Sequence, residues 1–207
     1  MAVLEKIRSS SGGMAPCGRA LVVFESMFGN TQRLAQGLAW GLRAEGMDVT
    51  VCNVESAPAR LPADLDLLVL GAPTHAFRLS TPSSRANARR HGATAAPVEF
   101  GMREWLAGLP PGGTPQDVAI FDTRFARTRR IPLAASRAIQ VLLERRGCRV
   151  STRPVSFVVD GPRGPLELQE LEKAVAWGRR LAGIARMTRM IKQHRSETPP
   201  CPDRVEG

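Results

Sequence analysis

With 207 residues and 22.4 kDa the chain is long enough for one domain with a real core, and its 43% apolar content excludes a disordered or fibrous chain. The net charge of +10 comes almost wholly from arginine, Lys6, Lys173 and Lys192 being the only lysines. Two readings of that charge stay open: attraction to acidic partners, or a codon-composition effect in an Ala/Arg/Gly/Pro-rich genome.

Residues 1–19 hold Ser9-Ser10-Ser11-Gly12-Gly13, a run that builds no core, and lack the apolar stretch of a secretory leader. They are expected to form a disordered extension. No apolar run approaches a membrane span; the longest, around Leu65–Ala72, is strand-sized. Cys17, Cys52, Cys148 and Cys201 are scattered, with no CxxC pair and no His at ligand spacing. They read as unpaired thiols of a cytoplasmic protein that holds no metal and spans no membrane.

The first element is an apolar strand, Ala20–Phe24, followed by the loop Glu25-Ser26-Met27-Phe28-Gly29-Asn30-Thr31. A helix then begins, with Leu34, Leu38 and Leu42 on one face and Gly46 as its C-terminal stop. A strand turning sharply into a helix leaves the first helical N–H groups unpartnered at the positive end of the dipole. Ser26 and Thr31 add hydroxyls, Asn30 an amide, and Gly29 lets the backbone turn or approach closely. The loop has no Gly-Lys-Ser/Thr ending and no G-x-G-x-x-G, so it is neither a triphosphate loop nor a dinucleotide fingerprint. Two readings remain for it alone: a cradle for a phosphate monoester, or a turn that binds nothing.

Asp48–Val54 alternates as a second strand, and Pro58 and Pro62 leave space for at most a short helix after it. Asp66–Leu70 is a continuous apolar run, the pattern of a parallel strand buried on both faces, and it ends in Gly71-Ala72-Pro73-Thr74-His75-Ala76-Phe77. Ser80-Thr81-Pro82 caps a short basic helix, Arg85–Arg90. A second helical piece, Met102–Leu106, precedes the turn 110–113. The fourth strand is expected over Asp117–Phe121, with Asp122-Thr123-Arg124-Phe125-Ala126-Arg127 as the loop that follows. A helix from about Leu133 to Arg146 places Ala135, Ile139 and Leu142 on one face. Cys148–Thr152 and Val155–Val159 read as a fifth strand broken near Pro154. The last helix, from about Leu166 to Met187, is expected to bury Leu171, Val175, Gly178 and Ala182. Residues 188–207, with Pro199, Pro200 and Pro202, read as a disordered tail, which puts the domain at 20–187.

Five strands alternating with helices predict an α/β fold, a doubly wound parallel sheet with helices on both faces and right-handed crossovers. Ligands bind such sheets at the carboxyl ends of the strands, where strand order reverses. The loops after strands one, three and four concentrate the Gly, Pro, Thr, Asn and aromatic residues, so one ligand spanning three loops is expected.

Ser26-Met27-Phe28-Gly29-Asn30-Thr31 after the first strand, together with Gly71-Ala72-Pro73-Thr74 after the third, resembles the flavodoxin family over residues 20–187. The same loops, with Phe121-Asp122-Thr123-Arg124, also resemble a little-characterised actinobacterial group of flavodoxin-like proteins. The resemblance implies five strands in the order 2-1-3-4-5 and FMN as cofactor. It places the FMN phosphate on Ser26, Met27, Phe28, Gly29, Asn30 and Thr31. The ring would then lie between Pro73, Thr74, His75, Ala76 and Phe77 on one side and Asp122, Thr123, Arg124 and Phe125 on the other.

The chain departs from the family pattern in two ways. Residues 20–187 hold 22 Lys and Arg against 15 Asp and Glu, whereas electron-carrying flavodoxins are usually acidic. There is no tyrosine to stack on the ring. Phe77, His75 or Phe125 can replace it, or pack in the core; His75 can donate to the flavin or orient its turn; Arg124 can meet the ligand or water. Trp40, Trp105 and Trp177 lie in helical stretches and are expected to be packing residues.

The function expected first is an FMN electron carrier serving a redox partner protein, possibly an acidic one. An FMN-dependent NAD(P)H quinone or nitro reductase is the alternative, with Arg85–Arg90, Arg124, Arg127, Arg129 and Arg130 holding NADPH phosphates. A non-redox module of the same fold, its basic surface binding an acidic partner or nucleic acid, is a third reading. Nucleic acid is not expected, since no helix-turn-helix and no basic stretch interleaved with aromatics is present.

Overall fold

The computed structural model describes residues 16–75, 78–93, 98–110, 117–126, 134–148, 150–161, 163, 164, 166 and 168–197. Its sheet comprises β1 (Arg19–Phe24), β2 (Asp48–Asn53), β3 (Leu67–Pro73), β4 (Asp117–Phe125) and β5 (Val155–Val159), all parallel, in the order β2-β1-β3-β4-β5. The helices are α1 (Asn30–Ala44), α2 (Pro82–Arg90), α3 (Met102–Gly108), α4 (Ala135–Glu144) and α5 (Leu168–Glu197), with a single 3-10 turn at Val54–Ser56. No described helix is long and apolar enough to cross a membrane.

The strands are apolar on both faces because both faces are covered. Ala20, Val22, Phe24, Leu67, Val69, Ala119 and Phe121 pack under α1 and α5. Leu21, Val23, Leu68, Leu70, Val118 and Ile120 pack under α3 and α4. On the first face Phe121, Phe157 and Trp177 meet edge to face with ring centroids 5.8–6.2 Å apart, so Trp177 is the packing residue expected. Two glycines let α1 and α5 touch backbone to backbone. A Cβ on Gly41 would lie 2.1 Å from the Val175 carbonyl, and one on Gly178 would lie 2.2 Å from that of Leu38.

The structure moves several expected boundaries. β4 runs on to Phe125, because Phe121–Phe125 pairs in register with Val155–Val159 of β5. Asp122, Thr123, Arg124 and Phe125 are therefore strand residues and not a loop. Cys148–Thr152 is no part of β5; among the described residues Ser151 ties it to the sheet, its N donating to Val118 O at 2.9 Å and its Oγ accepting from Val118 N at 3.2 Å. Helix α5 buries Ala174, Trp177, Leu181, Ala182 and Ala185 toward the sheet, while Leu171, Val175 and Gly178 form the row that meets α1.

Both expected domain limits fall within regular structure. Arg19 already pairs with Asp48, and Cys17 N donates to Gly46 O at 3.0 Å. At the other end α5 continues to Glu197, tied back by Arg186 donating to Glu45 O at 3.0 Å and by Arg189 to Asp66 at 3.2 Å. Residues 1–15 and 198–207 lie outside the described residues. Trp40 is a further correction: it is 57% exposed, with the Arg179 guanidinium over its ring, 5.6 Å from the centroid. Cys17, Cys52 and Cys148 are free thiols.

Candidate functional site

The site is built first by the turn from β1 into α1. Gly29 takes φ +90°, a left-handed conformation that disfavours a side chain, and caps α1 with no side-chain hydrogen bond. The first turn of α1 carries no acid, so nothing local neutralises the positive end of this 15-residue helix. Gly29 N donates to Ser26 Oγ at 3.1 Å, which leaves the serine proton to point elsewhere. Thr31 shares a 3.2 Å hydroxyl contact with Thr123 of β4, although 92 residues separate them. Ser26, Asn30, Thr31 and Thr123 are all buried.

The loop after β3 is tied to β4 and to the start of α4. Thr74 N donates to Thr123 O at 2.8 Å, and Thr74 Oγ1 accepts from Ala135 N at 3.0 Å, so this threonine caps α4. His75 and Arg78 exchange two backbone bonds of 2.9 and 3.0 Å. Burial, and then the charge of Arg85, push the His75 imidazole below its ordinary value, so it is neutral at neutral pH.

These elements enclose a cavity of about 630 Å³ at the carboxyl ends of β1, β3 and β4. Ser26, Met27, Phe28, Asn30, Thr31, Pro73, Thr74, His75, Thr123, Arg124 and Phe125, all among the residues singled out in the sequence, line it. Gly29 shapes the turn without lining the cavity. Ala76 and Phe77 lie outside the described residues. Phe125 is 40% exposed, which makes it a wall of the cavity and not a core residue.

Asp122 is a correction. Its side chain is fully buried on the α4 side, where it accepts from Ser136 N at 3.2 Å, from the Ser136 hydroxyl and from Arg124 Nε at 3.2 Å. Alternation along β4 explains this, since Thr123 faces α1 and its neighbours face the other way. Arg124 is accordingly half of a buried ion pair, with Ser156 as a second partner.

Arg85 is the second correction. It is fully buried and cannot reach a bound phosphate in water. Its Nε donates to Val98 O at 2.7 Å, Nη1 to Ser80 Oγ at 2.9 Å and Nη2 to Glu104 Oε2 at 3.0 Å. Glu104 also accepts from Gly101 N at 2.9 Å, and Glu25, next to Ser26, accepts from Met102 N at 2.8 Å. This network anchors α2 and α3 behind the β1 loop. Burial pushes the Glu25 carboxyl above its ordinary value, against the Ser80 hydroxyl, the Met102 amide and the Arg85 charge.

Two groups of lining residues were missed by sequence reasoning. Ser84, Asn87, Ala88 and His91 project from α2 and its end; Val159 ends β5, and Gly161, Arg163 and Gly164 follow it. Ala88 and Ala93 pack on Met27 and Phe28, which draws α2 across the β1 loop. The Gly-Pro-Arg-Gly run at 161–164 is a turn signal at a strand's carboxyl end and carried the missing information. Among the described residues no Asp or Glu lines the cavity, whereas Arg124, Arg163, His75 and His91 do. The chemistry of the lining is that of an anion site with aromatic walls.

No family model matches the chain, and no curated protein matches it. Solved structures do. A flavodoxin from the domain Archaea is 17% identical, with a TM-score of 0.56 over 81% of this chain and 98% of that one. The flavodoxin of Streptococcus pneumoniae TIGR4 is 19% identical, with a TM-score of 0.56 over 80% of this chain and 99% of that one. The flavodiiron protein of Giardia intestinalis is 20% identical, with a TM-score of 0.53 over 89% of this chain but only 40% of that longer one. With its sheet order of β2-β1-β3-β4-β5 and helices on both faces, the chain has the flavodoxin-like fold.

Proposed function

We propose that this protein is an FMN-binding electron-transfer flavoprotein whose cofactor phosphate rests on the loop 26–31. The observation that carries the reading is the cavity itself. It opens on a helix start with no side-chain cap and no acid in its first turn, and among the described residues no carboxylate lines it. A phosphate monoester fits such a donor set, with the α1 amides and the Ser26 and Thr31 hydroxyls as donors. Met27, Phe28, Pro73 and Phe125 offer apolar surface for a flat ring. Neutral His75 presents one N–H and one acceptor nitrogen. Bound FMN supplies one- and two-electron transfer; the protein binds, orients and shields it.

A carrier is favoured over an NAD(P)H-dependent reductase. Arg85, expected to hold an NADPH phosphate, is committed to the core, and Arg124 is paired with Asp122. Arg127, Arg129 and Arg130 lie outside the described residues. The partner is then a redox protein, its docking surface acidic to match the net charge of +10.

The test is a spectrum followed by kinetics. The full chain, purified or reconstituted with FMN, is expected to show flavin absorption at one equivalent. It should exchange electrons rapidly with a reductase protein and oxidise NADPH only slowly with quinones. Failure to retain or take up FMN overturns the reading. Steady NADPH–quinone turnover overturns the carrier assignment alone.

A further inference from the structure

We infer that Arg163, after β5, is the cation that neutralises the phosphate held on 26–31; the inference rests on the phosphate-loop reading above. Among the described residues Arg124 and Arg163 line this site and Arg85 lies behind it, and they differ in what they meet. Arg85 is held by Glu104, and Arg124 by Asp122. Arg163 meets no carboxylate among the described residues: its Nη2 donates to the His91 carbonyl at 2.7 Å. A guanidinium has five N–H donors, so donors and charge remain for the cavity it lines.

Its position is fixed from both sides. Gly164, the next residue, takes φ +84° and packs on the start of α1, where an added Cβ would lie 3.0 Å from Asn30 Oδ1. That contact brings the Arg163 backbone to the edge of the phosphate loop. The guanidinium is seated against the end of α2, since a Cβ on Gly92 would fall 2.7 Å from its Nη2. There it also meets the negative end of the α2 dipole. The loop 26–31 contains no lysine or arginine of its own. A monoester dianion bound there finds its counter-charge in Arg163 and the α1 dipole.

The experiment is a fluorescence titration of the full-length apo-protein with FMN and with riboflavin, in the wild type, Arg163→Gln and Arg163→Lys. Arg163→Gln is expected to weaken FMN about ten- to hundredfold, the usual contribution of a hydrogen bond to a charged group. Riboflavin affinity should change by less than about twofold, a result that a misfolded variant cannot produce. Arg163→Lys should recover part of the loss, because the charge returns without the fork geometry. Raising salt should weaken FMN binding more in the wild type than in Arg163→Gln. FMN affinity unchanged in Arg163→Gln, or FMN and riboflavin falling together, overturns the assignment. A wild type that binds the two flavins equally overturns the phosphate-loop reading, and this inference with it.

Discussion

The two faces of the sheet are closed by different physics. Under α1 and α5 the contact is apolar and glycine-spaced, and its ion pairs, such as Arg186 with Glu45, lie at the rim. On the other face α3 and α4 supply an apolar layer, but α2 and its connections are held by a fully buried arginine, two glutamates and a serine. The ligand cavity lies where these two constructions meet. One wall is therefore fixed by shape, and the other by satisfied charges whose loss leaves partners stranded.

Removing the buried charge should produce the largest effect. Arg85→Ala leaves Glu104, Ser80 and the Val98 carbonyl without their partner, and breaking a buried pair this way costs roughly 3–5 kcal/mol. The lower end is expected, since the Glu104 side chain is 27% exposed. Urea denaturation measures it, and flavin binding should weaken as the α2 wall loosens. A loss smaller than that of a glycine substitution under α5 would reverse the contrast between the two faces.

Next comes the cavity. Thr31→Val removes a hydroxyl from the phosphate loop and its contact with Thr123, and should weaken FMN by roughly ten- to hundredfold while sparing riboflavin. Equal losses for both flavins would mean that Thr31 serves packing alone.

Gly41→Ala probes the shape-built face. The added Cβ meets a backbone carbonyl and not a flexible side chain, so α1 and α5 must separate, at about 1–3 kcal/mol. A urea midpoint equal to that of the wild type would show that the helices have slack.

The smallest expected effect is at Glu25. Its raised pKa means that the folded protein holds this proton more tightly than the unfolded chain. Its contribution to stability is therefore full below the ordinary carboxylate range and is lost as pH rises through the raised value. Glu25→Gln keeps the size without that charge, so it should flatten this part of the stability–pH curve and match or exceed the wild type at neutral pH. A curve of unchanged slope would show that Glu25 does not titrate in this window.

The glycine-spaced face was largely legible in the sequence, because its information is periodic. Leu34, Leu38 and Leu42 mark the buried stripe of α1, and Gly178 lies in the row expected to be buried. The charge-built face was not legible. A basic run such as Arg85–Arg90 reads as solvated or ligand-binding, and nothing local shows that Glu104, 19 residues later, returns to meet Arg85. The same limit applies to Asp122. An acid after four apolar strand residues signals a loop, and only pairing with β5 and the Ser136 partner explain a strand that continues through a buried carboxylate. At the site, the β1 and β3 loops carry recognisable residue patterns, whereas α2 and the turn after β5 reach the cavity by tertiary packing.

The central claim is that the cavity recognises the phosphate of FMN, and a comparison of two ligands tests it most directly. Apo-protein titrated with FMN and with riboflavin, at one pH and low salt, compares the same ring with and without the phosphate. The account predicts that FMN binds at least about a hundredfold more tightly, since several charge-assisted hydrogen bonds separate the two. Equal affinity for both flavins, or no binding of either, would contradict it.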